Sequence, residues 1–187
     1  MNEETTLLFG QKEKFAIEIK PYKIPMKFYL RFWFYNMGIG EFKRGGSLDY
    51  LINEYFKFIS ITEQNVYDKE FNNLTDSEMF KNIFLYSDEG LSSEESDYYY
   101  KRMEQLGYIF ADNQLNNFTI GAVPLKAKIK FLVYEMDVKE TPQLYSFNYD
   151  KPDILAPYKS FMQYAFKNGL KKHGLFFPEN FTHKDIE

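Results

Sequence analysis

Apolar and polar residues alternate with a period of two along most of the first forty positions. Residues 5–9 (TTLLF) read as a short strand and Gly10-Gln11-Lys12-Glu13 as a turn. Phe15, Ile17 and Ile19 then alternate with Lys14, Glu18 and Lys20, the pattern of a half-buried second hairpin strand. Pro21 and Pro25 bracket a connection. Over residues 26–35, Phe28, Leu30, Phe32 and Phe34 fall on one face and Tyr29, Arg31, Trp33 and Tyr35 on the other. Apolar bodies on both faces predict a central strand covered on both sides. Asn36-Met37-Gly38 has turn chemistry, and residues 39–43 are expected to return as the next antiparallel strand.

The period changes at Gly45-Gly46, which is expected to end the sheet, with Ser47 as the N-cap of a helix. Leu48, Leu51, Ile52, Tyr55, Phe56 and Ile59 follow at the spacing of one apolar helical stripe. Thr75 with Glu78 forms a capping box, with Leu74 and Met79 as its hydrophobic staple, and Ser92 with Glu95 repeats the box before a helix running to about Leu106. Ser87-Asp88-Glu89-Gly90 reads as the loop between them. Period two returns over residues 118–122 and 126–136, where Lys126, Lys128 and Lys130 are expected to face water and Ala127, Ile129, Phe131 and Val133 the core. Residues 144–149 are the expected hairpin partner. Pro157 suits the first turn of a last helix, whose stripe is Tyr158, Phe161, Met162, Ala165 and Phe166 and whose stop is Gly174.

This order predicts an α+β fold, a mainly antiparallel sheet with amphipathic helices packed on it, as a single domain over residues 1–187. Its parts are a strand-rich amino-terminal portion with the first helix (1–60), an acidic helical segment (61–112), and a second strand set with the carboxyl-terminal helix (113–187). A chain of this length buries roughly 70% of its unfolded surface, enough for a core without staples.

Composition narrows the chemistry. The chain has no cysteine, which excludes disulfides, thiolate metal sites and a cysteine nucleophile. The opening MNEETTLLFG lacks the positive charge and apolar run of a signal peptide, and no apolar run reaches the eighteen or so residues that span a bilayer. A cytoplasmic protein without a membrane partner is the expectation. The two histidines, His173 and His183, lie near the carboxyl end in no metal-binding spacing and read as solvated side chains. Gly38-Ile39-Gly40 and Gly45-Gly46 match no phosphate-binding loop, and no acidic calcium loop exists. No catalytic residue, cofactor or metal is expected, and therefore no enzyme.

The net charge of −4 argues against general nucleic-acid binding. The acidity is local: residues 68–112 carry four basic and eleven acidic groups. At its centre SDEGLSSEESDYYY places Asp88, Glu89, Glu94, Glu95 and Asp97 around a helix start, beside Tyr98, Tyr99 and Tyr100. First-turn acids on a solvated face account for much of this. Consecutive helical residues turn by about 100°, however, so three tyrosines cannot all face the core. A surface tyrosine among carboxylates suits a protein interface. The residues alone leave both readings open.

Three segments carry a resemblance. FGQKEKFAIE at 9–18, the aromatic strand and return in FYLRFWFYNMGIG at 28–40, and GGSLDYLI at 45–52 resemble the immunity protein 42 family. Phe9, Gly10, Phe15, Ala16, Ile17 and Glu18 match its opening motif, Ile39 and Gly40 its return, and Gly46-Ser47-Leu48 its Gly-Thr-Ser-Leu helix start. Gly46 replaces the threonine, and Glu41 stands where an aspartate often follows the return. The likeness covers about the first third of the chain and fades after Ile59; its motifs are structural rather than catalytic. It implies a bacterial immunity protein of a polymorphic toxin system, which binds a cognate toxin and blocks it stoichiometrically. Many such toxins are basic nucleases, so Asp88, Glu89, Glu94, Glu95 and Asp97 would pair with toxin cations, and Tyr98 or Tyr99 would anchor. Two other readings stay open: a small-molecule or peptide-binding domain using the aromatic sheet face, and a structural or assembly subunit.

Overall fold

The first hairpin forms where the alternation begins. In a computed structural model of the chain, the described residues are 6–21, 27–42, 45–47, 52–53, 56, 73–84, 92–95, 97–98, 101, 108–110, 115, 118–135 and 143–167. Strand β1 (Leu7–Gly10) pairs antiparallel with β2 (Phe15–Pro21), Leu7 opposite Ile19 and Gly10 opposite Ala16. Strand β3 (Lys27–Phe34) runs along the whole of β2, from Pro21 opposite Phe28 to Phe15 opposite Phe34. It then reverses at Tyr35 and Asn36, whose φ angles are 47° and 68°, into β4 (Met37–Ile39). Two left-handed residues in a two-residue loop match the twist of the flanking strands. The turn therefore comes one residue earlier than Asn36-Met37-Gly38 suggested.

Gly46 and Ser47 do not end the sheet. They form β5 (Gly46–Ser47), antiparallel to the start of β3 with Ser47 opposite Lys27. This corrects the expected N-cap: the backbone of Ser47 pairs with a strand instead of opening a helix. Ile52, Asn53 and Phe56 are helical and Ile52 is buried, whereas Leu48, Leu51, Tyr55 and Ile59 lie outside the described residues.

One face of this first sheet is core. Phe15, Ile17, Ile19, Leu30, Phe32, Phe34 and Ile39 are all buried there. Helix α2 (Lys151–Lys167) covers it with Tyr158, Phe161, Met162 and Ala165, the stripe expected from sequence. Phe15 stacks on Tyr158 at 6.0 Å between ring centroids, and Phe9 meets Phe161 edge-on at 5.6 Å. The helix begins at Lys151, so Pro157 sits in its second turn rather than its first. Proline has no N–H, and the carbonyl of Asp153 therefore loses its usual helical donor. The opposite face of β3 is not the apolar second side that the strand pattern suggested. Tyr29, Arg31 and Trp33 are half-buried there beside polar groups.

The second sheet has the order β6 (Tyr108–Phe110), β7 (Phe118–Pro124), β8 (Lys128–Glu135), β9 (Gln143–Asp150), each strand antiparallel to the next. The sequence pattern marks no strand at β6. On one face lies helix α1 (Asp76–Phe84), whose Met79 and Phe80 join Val123 and Leu132 in a cluster flanked by Leu74, Leu125, Tyr134 and Leu144. Phe80 stacks on Tyr134 at 4.8 Å. Two expectations are corrected in and beside β8. Lys130 points at α1 and pairs with Asp76 instead of facing water, and Ala127 is exposed in the turn before β8 rather than in the core.

By contacts the chain falls into two compact units. Residues 1–56, 112–116 and 152–187 make the unit with the first sheet and most of α2; residues 57–111 and 117–151 make the unit with the second sheet and α1. Among the described residues no helix is long and apolar enough to cross a membrane.

Candidate functional site

The outer face of the first sheet is built around Glu18. Alternation in β2 sends Phe15, Ile17 and Ile19 inward, so Ala16, Glu18 and Lys20 take the other side. Register then sets the neighbours: Glu18 lies between Leu8 of β1 and Arg31 of β3, while Ala16 pairs with Trp33. Glu18 is the one buried charged residue among those described, 8% exposed. An isolated carboxylate there would cost several kcal/mol in lost hydration, and three groups compensate it. Lys12 donates from Nζ to Oε1 at 3.1 Å, Trp33 donates from Nε1 to Oε2 at 2.8 Å, and Arg31 Nη1 lies 3.6 Å from Oε2.

The cations are held from further sides. Lys12 Nζ sits 4.1 Å from the centroid of the Trp33 ring, and the Arg31 guanidinium lies 4.5 Å from that of Phe42. Arg31 Nε also donates to the carbonyl of Gly40 at 2.8 Å. Gly40 has φ of +112°, and a Cβ there would lie 2.5 Å from the Leu30 carbonyl, so the turn that presents this acceptor needs glycine. The hairpin tips are joined by main chain: Tyr35 N–H donates to Lys14 O at 2.8 Å and Asn36 N–H to Lys12 O at 2.6 Å. The result is a rigid patch of aromatic and cationic groups.

Four residues of the opening motif serve the fold. Phe9 packs on Phe161 and Tyr164, Phe15 and Ala16 are buried, and Gly10 has φ of +100°. A Cβ on Gly10 would stand 2.3 Å from the Phe15 carbonyl oxygen and 2.8 Å from Cγ of Pro157. Beside that contact lies a cavity of about 140 Å³ lined by Gly10, Gln11, Lys14, Phe15, Asp153 and Pro157, with Lys14 and Asp153 paired at 3.6 Å. It has room for a few waters and falls short of the few hundred Å³ typical of small-molecule sites. Phe32 and Phe34 are buried against Phe15, so the aromatic face of β3 is filled core rather than an open pocket.

The acidic segment presents a different surface. Residues 93–95, 97–98 and 101 are helical, and Glu94, Glu95, Asp97 and Tyr98 are exposed, Tyr98 by 55%. Asp88, Glu89 and Tyr99 lie outside the described residues, as do His173 and His183. Glu95 closes the expected capping box: its carboxylate accepts from Ser92 N–H at 2.9 Å and Ser92 Oγ at 2.8 Å, and these donors lower its pKa. Glu94 and Asp97 have no such role in the cap. Thr75 and Glu78 form the same reciprocal arrangement ahead of α1. Among the described residues no cluster of His, Cys, Asp or Glu could hold a metal ion.

No local pattern in the sequence marks Glu18 as a buried carboxylate. The signal lies in the pairing: with the hairpin register fixed, alternation alone puts Glu18, Arg31 and Trp33 on one face.

Comparison with known proteins places the chain in a family and gives a likeness of fold. The immunity protein 42 family model matches residues 7–164, well past Ile59, where the recognisable motifs fade. Among solved structures, the crystal structure of CdiI from Burkholderia dolosa AUO158 is similar, with a TM-score of 0.53 and 12% identity over 83% of this chain and 98% of that one. At that identity the likeness is one of fold. No curated protein matches the chain.

Proposed function

The chain belongs to the immunity protein 42 family, and from that premise we propose that it binds one cognate toxin and neutralises it stoichiometrically, by occlusion rather than by catalysis. The family match over residues 7–164 is the observation that carries this reading. A sequence without cysteine, with two late histidines and no nucleotide-binding loop, supports a blocker over an enzyme. A toxin delivered into a cell must be met there, which supports a cytoplasmic site of action.

For the contact itself, the exposed Glu94, Asp97 and Tyr98 support docking of a basic toxin surface at the acidic helix, with Asp88, Glu89 and Tyr99 completing the sequence patch. Glu95 contributes charge there while its oxygens hold the helix start. Such a patch would speed encounter with a basic partner and lose that advantage in high salt. The test is co-expression with the product of the adjoining reading frame. Rescue of growth together with a one-to-one complex is the expected result; toxicity without rescue, in a cell that makes both proteins, would remove the reading.

A further inference from the structure

We propose that the outer face of the first sheet, centred on Lys12, Arg31 and Trp33, is a second docking surface that receives an acidic segment of the toxin protein. The proposal rests on the toxin-binding reading and adds a site that the acidic helix does not include.

Three observations carry it. The first is charge. On the strand rows of this face Lys20, Lys27 and Arg31 stand against the single carboxylate of Glu18, while the adjoining turn adds Lys12 together with the exposed Glu13 and the exposed Glu41 follows β4. Glu18 is enclosed by its partners, yet the Lys12 and Arg31 side chains keep 36% and 28% of their surface open. A protein whose net charge is −4 thus shows a locally cationic face. Its complement is a carboxylate from outside.

The second is the kind of surface. Of the three exposed large hydrophobic residues among those described, Leu8 at 44% and Tyr35 at 49% border this face. Leu8 stands directly across from Glu18 on β1, and Tyr35 opens the turn that follows the strand carrying Arg31 and Trp33. Half-buried Arg and Trp bordered by an exposed Tyr are the residue types that protein interfaces concentrate at their centres. This favours a folded protein segment over a free anion.

The third is order. The Trp33 indole is fixed by Glu18, the Arg31 guanidinium by Gly40, and the two hairpin tips by main-chain hydrogen bonds. Little rotamer freedom remains to be lost when a partner docks, so more of each contact is realised as affinity.

Trp33 is the only tryptophan in the chain, which makes the face directly observable. The full-length protein would be labelled with fluorotryptophan and titrated with the purified product of the adjoining reading frame. Fluorine NMR would follow Trp33, and Leu8→Asp and Tyr35→Ala would be titrated in parallel after circular dichroism has confirmed their fold. The expected result is a shifted Trp33 resonance in the complex and affinity reduced about tenfold or more in each variant. A one-to-one complex with an unmoved resonance, or with both variants binding as tightly as the parent, would overturn the proposal and leave neutralisation standing. No complex at all would remove the neutralisation reading and this proposal with it.

Discussion

Trp33 donates its indole N–H to the Glu18 carboxylate at 2.8 Å, from a strand position diagonal to it across the β2–β3 ladder. The bond ties a half-buried aromatic ring to the one buried charge among the described residues, and Lys12 and Arg31 close the cluster. Glu18→Gln would keep an acceptor for Trp33 but leave two partly buried cations without their counter-charge. A loss of about 1–3 kcal/mol is expected. Urea unfolding followed by Trp33 fluorescence measures it, and parental stability would show that the cations hold without the carboxylate.

Gly10→Ala should be among the most damaging small substitutions. The new methyl would meet the Phe15 carbonyl at 2.3 Å and Pro157 at 2.8 Å, at a φ of +100°. Left-handed strain alone costs about 1–2 kcal/mol, and the collision with backbone adds to it. Thermal melting should fall by several degrees or the protein should fail to accumulate; an unchanged melting temperature would mean that β1 and α2 can separate without loss.

Acid should loosen the second sheet's contact with α1. Burial alone would raise the pKa of Asp76, but hydrogen bonds from Lys130 and Ser146 and the Lys130 charge outweigh it and hold the group below its ordinary value of 3.8. A carboxylate depressed on folding stabilises above its unfolded pKa, and that contribution fades as pH falls below about 4 through the folded value. Glu78 and Glu95, lowered by their capping partners, act in the same direction. Asp76→Asn should therefore flatten the fall in stability at the acid end, measured by melting curves across that range. An equally steep fall would assign acid lability to other carboxylates.

The hairpin at the amino end and the last helix were legible in the sequence because each side's periodicity was strong and local chemistry agreed with it. Where the reading failed, tertiary partners decided. Ser47 has an N-cap's side chain, yet β3 offered its backbone a strand to pair with. Lys130 has a solvent residue's charge, yet Asp76 on α1 waits across from it, and a long aliphatic stem is easily covered once its ammonium is paired. Pro157 looked like a helix start because the missing donor is harmless there; in the structure it is tolerated in the second turn, with its ring against Gly10. The capping boxes at Thr75 and Ser92 were readable because all their partners lie within four residues.

Reversing charge at the acidic helix tests the docking proposed there apart from folding. On that proposal Glu94→Lys with Asp97→Lys should slow association with the cognate toxin about tenfold and make the rate less salt-dependent, with helix content preserved. Glu95→Lys should also unravel the helix start, because the Ser92 N–H and hydroxyl lose their acceptor. Stopped-flow association beside circular dichroism distinguishes the two, and unchanged rates in the double variant would exclude this surface from the encounter.

The proposed single domain can be tested through the same tryptophan. Trp33 reports the unit of the first sheet, whereas far-ultraviolet circular dichroism reports both units. Coincident unfolding midpoints are expected of one cooperative domain; separated midpoints would make the two units independent.

The main-chain bonds from Tyr35 to Lys14 and from Asn36 to Lys12 fix the shape of the two hairpin tips without using any side chain. Most substitutions at Lys12, Glu13 or Tyr35 would thus leave the contour intact, with β-branched residues disfavoured at the left-handed Tyr35. For a member of an immunity-protein family, such a place is a surface that can vary without a change of fold. Its lettering can be rewritten one residue at a time while the page stays flat.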